Sequence, residues 1–76
     1  MPLAMEPLTT LDEAIDRIEI YDGSAQDFVL AISDVLLDPA GMNMAIMTDR
    51  VLQKGWEPDG FEQRDGYRIY RYRLMQ

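Results

Sequence analysis

The sequence predicts an α+β fold: a small domain of three helices followed by a C-terminal β-hairpin, in the order αααββ. Three observations lead there. Thr10-Leu11-Asp12-Glu13 has the form of a capping box placed ahead of a spaced apolar series. Apolar residues then recur at helical spacing through two further segments that run up to Gly55. After Gly55 the period changes to alternation, and Asp59-Gly60 and Asp65-Gly66 supply turn signals.

In the first helix Leu11, Ala14, Ile15 and Ile18 share a stripe, with Asp12, Asp16 and Glu19 turned to water. It ends before Asp22-Gly23. Ser24, with Asp27 three residues later, restarts the pattern. Phe28, Val29, Ile32, Val35 and Leu36 recur at helical spacing, while Gln26, Asp27, Ser33 and Asp34 supply the polar side. This second helix is expected at the centre of the core. Asp38-Pro39 reads both as a stop and as a restart. The third helix begins at Pro39 or Met42, with Gly41 as an alternative turn residue, and runs to Lys54, closed by Gly55. Met44, Met47 and Val51 share its core face. Met42 and Ile46 form an exposed apolar patch suited to a dimer or partner interface.

In the hairpin, a two-residue loop at Asp65-Gly66 sets Arg64 against Tyr67, Gln63 against Arg68, Glu62 against Ile69 and Phe61 against Tyr70. Phe61, Tyr70, Tyr72 and Leu74 then fall on one side, and Glu62, Arg64, Tyr67, Ile69, Arg71 and Arg73 on the other. Glu62 lies diagonal to Arg71. A longer loop over Gln63 to Gly66 would shift this register. Tyr70 and Tyr72 are expected in the core with their hydroxyls at its rim, and Trp56 is expected to lock the hairpin onto a helix.

The chain of 76 residues reads as one domain, with residues 1–8 as an N-terminal arm. A chain this short buries only roughly 60–65% of the surface it exposes when unfolded, so docking on a partner or dimerisation would add stability. It has neither cysteine nor histidine, which removes disulfides, thiolate chemistry, the commonest general base and the commonest transition-metal ligand. No glycine-rich phosphate loop or nucleophile motif is present, and no calcium-loop spacing. A non-catalytic protein without cofactor or metal is expected. The opening MPLAMEPL lacks a basic n-region, and no apolar run approaches the ~20 residues of a membrane span, so a cytoplasmic location is expected.

Charge is uneven along the chain. Residues 1–49 carry ten acidic side chains and one basic, a balance of −9; residues 50–76 carry six basic and four acidic, a balance of +2. The acidic half reads as a solvated surface, or as a face offered to a basic partner.

The stretch MTDRVLQKGWEPDGFEQRDGYRIYRYR, a helix ending at Gly55-Trp56 and then a hairpin with a glycine tip, resembles the join between third helix and wing in winged helix-turn-helix domains. That resemblance implies a winged-helix-like fold in which the third helix enters the DNA major groove and the wing touches the backbone. Asn43, Ile46, Arg50 and Gln53 would face the groove, with Lys54, Arg64 and Arg68 near phosphates. This chain departs from the pattern in its apolar third helix, in Asp49 beside Arg50, and in its acidic coat.

The leading expectation is therefore a non-catalytic adaptor or regulator acting through protein contacts at Met42, Ile46, Arg50, Gln53, Arg64, Arg71 and Arg73. A homodimer that binds duplex DNA is the second expectation. An acidic inhibitor of a nucleic-acid-binding enzyme, of the kind mobile elements encode, is the third.

Overall fold

The computed structural model describes residues 6–21 and 26–75. Two helices and a three-stranded antiparallel sheet form an α+β fold in the order α1 (Leu11–Ile20), β1 (Asp27–Ser33), a 3-10 turn (Asp34–Leu36), α2 (Met42–Gln53), β2 (Trp56–Arg64) and β3 (Tyr67–Leu74). The strand order is β1-β3-β2. Because β1 and β2 each run antiparallel to β3, they are parallel to one another, and α2 carries the chain back between them.

The expected order αααββ is corrected here. The segment read as a second helix is a strand followed by a 3-10 turn, and the domain has two α-helices among its described residues. Its start at Ser24, the Asp22-Gly23 turn, and residues 1–5 of the expected arm lie outside the described residues. The physical reason lies in pairing. Phe28, Leu30 and Ile32 alternate inward, and β3 of the hairpin has an unpaired edge that hydrogen-bonds to them in a register from Asp27↔Arg73 to Ser33↔Tyr67. A run of Phe, Val, Leu, Ala and Ile satisfies a helical stripe and a buried strand equally well, so the partner decides.

The first helix forms as its capping box dictates. The Glu13 amide donates to Thr10 Oγ1 at 3.2 Å and the Thr10 amide donates to Glu13 Oε1 at 3.2 Å, satisfying donors at both ends of the first turn. The Thr10 hydroxyl, and after it the Thr9 hydroxyl, each donating to Glu13 Oε1 at 3.0 Å, hold the Glu13 carboxyl below the usual carboxylate range. The second helix starts at Met42, the later of the two expected starts. Asp38 caps it from outside: its carboxylate accepts from the amides of Met42 at 3.1 Å and Asn43 at 2.9 Å. The Asn43 amide, backed by that of Met42, lowers the Asp38 pKa against the opposing effect of burial. Gly55 takes φ +91° after the helix, the left-handed geometry expected of a closing glycine.

The hairpin keeps the register expected from the Asp65-Gly66 loop, Phe61↔Tyr70 through Arg64↔Tyr67. A bulge at Pro58 to Phe61 takes up Asp59 and Gly60, and places proline on an outer strand, where a missing amide costs no ladder bond. At the other edge Leu8 bridges β1: its amide donates to Ala31 O at 2.8 Å, and the Ser33 amide donates to Leu8 O at 2.9 Å. Leu8 is buried and so belongs to the body of the domain.

Both helices cover one face of the sheet. Ala14 and Ile18 from α1, Met47 and Val51 from α2, and Phe28, Leu30, Ile32, Trp56, Tyr70 and Tyr72 from the strands make one core cluster. Phe28 is its hub. Its ring stacks on Tyr21 with centroids 4.2 Å apart, meets Trp56 edge-on at 4.7 Å and lies 5.0 Å from Tyr72. Trp56 is fully buried, as expected of a residue that locks hairpin to helix. Tyr72 departs from expectation in one respect. Its hydroxyl is buried instead of reaching the rim, and it finds no hydrogen-bond partner among the described residues. Desolvation, and secondarily Tyr70, push the Tyr72 phenol well above its ordinary pKa.

Candidate functional site

The nine residues singled out for partner or nucleic-acid contact fall into three groups. Arg50 and Lys54 reach across to the C-terminus of α1, Lys54 half-buried and the Arg50 side chain still 40% exposed. The Arg50 guanidinium meets Glu19 Oε1 at 2.5 Å, and the Lys54 ammonium donates to the Ile18 and Glu19 carbonyls at 3.1 and 3.0 Å. A cation on the last carbonyls of a helix is favoured by its dipole, so this pair fastens α2 to α1. The Arg50 hydrogen bond, assisted by the Lys54 charge, holds the Glu19 carboxyl below its usual range.

Asn43 is likewise internal, its side-chain amide donating to Leu36 O at 2.8 Å and tying α2 to the 3-10 turn. Met42, Ile46 and Gln53 form a second group on the outer side of α2. Met42 is 61% exposed and Ile46 43%, as expected of that patch. Gln53 donates to Asp49 Oδ2 at 2.9 Å within the same helix.

Arg64, Arg71 and Arg73 form the third group, on the sheet face opposite the helices. Residues that face each other across paired strands share a face. That face therefore carries Asp27, Val29, Ala31 and Ser33 from β1; Tyr67, Ile69, Arg71 and Arg73 from β3; and Glu57, Glu62 and Arg64 from β2. No described element covers it. Ile69 sits at its middle, with Ala31 on one side and Glu62 on the other. Glu62 accepts from Arg64 at 2.5 Å and from Arg71 at 2.9 Å, which is the diagonal pairing expected from the hairpin register. Arg73 donates to Glu57 at 2.7 Å, and that bond, with the charges of Glu57 and Asp59, raises the Arg73 pKa. The result is a small apolar strip of Val29, Ala31, Tyr67 and Ile69 bordered by closed ion pairs.

Arg68, expected near phosphates, lies on the other face. Its guanidinium donates to Gln63 Oε1 and to the Tyr70 hydroxyl, each at 2.9 Å, and stands 5.0 Å from the centre of the Phe61 ring. Thus six of the lysine and arginine side chains, Arg50, Lys54, Arg64, Arg68, Arg71 and Arg73, are bonded to other described residues of the fold. A shallow cleft of about 400 Å³ at the end of β3 is lined by Glu57, Arg73, Leu74 and Met75, and its two charged groups bond to each other.

The β1 contribution to the open face was absent from the sequence reading, because that segment was assigned to a helix. The alternation of Phe28, Leu30 and Ile32 with Val29, Ala31 and Ser33 was the signal for it. Glu57 was missed as the Arg73 partner, although a strand running back to Trp56 would have placed the two opposite each other. Among the described residues, no group of three or more acidic side chains converges as a metal site, and no helix is long and apolar enough to cross a membrane. No family model, no curated protein and no solved structure matches this chain.

Proposed function

We propose that the chain is a non-catalytic binding module that works through protein contacts made on the uncovered face of its sheet. The observation that carries this reading is the composition of that face: an apolar strip of half-buried Val29, Tyr67 and Ile69, with Ala31 buried beneath them, held inside a border of arginine–glutamate pairs. Tyrosine and arginine are the side chains that protein interfaces favour, and a polar rim around an apolar centre is their usual anatomy. The same pairs weigh against the duplex-DNA reading. Nucleic-acid affinity draws on cations free to neutralise phosphates. Here Arg50 and Lys54 hold α1, and Arg64, Arg71 and Arg73 would have to leave carboxylates that would then face the phosphates.

A photo-reactive benzoylphenylalanine placed at Tyr67, in the open face, tests the reading against the same group placed at Asp16, on the exposed side of α1. Covalent protein adducts from position 67 and none from position 16 are expected in cells expressing the protein. Absence of adducts from position 67, or equal labelling from both, would count against the sheet face. A mobility assay with random duplex DNA at low salt is expected to show no retained complex.

A further inference from the structure

We infer that the partner seated on the open sheet face is a second copy of this chain, packed sheet to sheet. The inference rests on the docking face proposed above and adds its occupant. Charge selects it. The face carries three cations, Arg64, Arg71 and Arg73, against three carboxylates, Asp27, Glu57 and Glu62, so it is formally neutral. The chain as a whole has a formal charge of −7, which must then lie entirely outside this face. Two identical acidic molecules repel one another through their other surfaces and meet without that penalty here. A strongly basic partner would be drawn instead to the acidic side of α1, and a polyanion would meet Glu57, Glu62 and Asp27.

The chemistry of the face is also self-complementary. A two-fold axis places each patch against its own copy, so it requires both signs of charge and an apolar centre on one surface. All three are present, with Ile69 and Ala31 central and the ion pairs alongside. Arg64 and Arg71 are satisfied by Glu62 and Arg73 by Glu57, and Asp27, which has no ion pair among the described residues, is the exposed first residue of β1. The central part of the face therefore closes without stranding an unpaired charge, the most costly outcome of burial. Two aligned sheets pack with their inner side chains interdigitated about 10 Å apart. Three strands of this length offer a footprint of about 14 by 24 Å, so the two copies together would cover roughly 700 Å². That is below the roughly 1,200 Å² at which standard interfaces begin, so a weak, reversible dimer with a dissociation constant well above about 1 μM is expected.

Sedimentation velocity of the full chain from micromolar to millimolar concentration tests this directly. The wild type is expected to pass from monomer to dimer across that range. Ile69→Arg is expected to stay monomeric, as is Tyr67→Glu, which serves if the first variant fails to fold by circular dichroism. Ile46→Arg, on the outer side of α2, is expected to associate as the wild type does. A wild type that is monomeric throughout would overturn the inference, as would a dimer that Ile46→Arg dissolves and both sheet variants leave intact. Adducts of position 67 with a different protein, together with a monomeric wild type, would remove the second copy while leaving the docking face standing. Adducts of neither kind would remove both.

Discussion

The two faces of one sheet use the same three strands for opposite ends. On the helix side, alternate residues of β1 and β3 are Phe28, Leu30, Ile32, Tyr70 and Tyr72, all buried, with Trp56 of β2 closing the cluster. On the other side, the residues between them are half-buried Val29 and Ile69, the small buried Ala31, and Arg71 and Arg73, which are tied to Glu62 and Glu57 at the solvent. The contrast shows where stability resides in a domain this small. Burial of aromatic and aliphatic groups on one face must supply nearly all of it, because exposed ion pairs contribute about 0–1 kcal/mol each. The open face is correspondingly free to vary for binding.

That division can be tested by substitution, and the largest effect is expected on the helix side. Trp56→Ala should cost about 3–5 kcal/mol, enough to unfold much of a marginally stable domain, and urea unfolding followed by circular dichroism measures it. A cost as small as that of an open-face change would break the comparison. Tyr72→Phe sharpens it from the other direction. Removing a buried hydroxyl that lacks a partner should leave stability unchanged or raise it by about 1 kcal/mol.

Titration separates the two kinds of contribution. The Tyr72 phenol has a folded pKa raised above its unfolded value, so the stability it contributes is complete below about pH 10 and is lost as the pH rises beyond that. Tyr72→Phe should reduce this alkaline loss. Glu13, Glu19 and Asp38 have depressed values, so their contributions are present above the ordinary carboxylate range and are lost as the pH falls through it. Glu19→Gln should therefore weaken the acid sensitivity and leave the alkaline limb as it was, which denaturant midpoints across pH would reveal. The smallest effect is expected for Glu62→Gln. Although it removes the partner of both Arg64 and Arg71, stability should change by less than about 1 kcal/mol, and salt should shrink the difference further.

Much of the molecule was legible before its structure. Thr10 and Glu13 announce the first helix because a capping box is a contact within four residues, and Gly55 announces the end of α2 for a similar local reason. The Asp65-Gly66 loop determines its own hairpin register, which in turn separates Tyr70 and Tyr72 from Arg71 and Arg73. The candidate site was legible in part. Arg64, Arg71 and Arg73 were placed on the outer hairpin side, where they stand. Arg50 and Lys54 were read as contact residues, but Glu19 and the α1 carbonyls that hold them lie more than thirty positions away in sequence.

By itself, then, the sequence determined the features set by neighbours: helix caps, the closing glycine, the hairpin turn and the alternation of its faces. Tertiary structure alone decided whether residues 27–36 became helix or strand, because their apolar pattern suits both and the free edge of β3 supplies the hydrogen bonds that settle it. Once β1 joins that edge, one sheet face is sealed by the helices and the other is left bare. Arg64 of β2 and Arg71 and Arg73 of β3 end up paired beside an apolar strip, an arrangement that no single segment of the chain encodes.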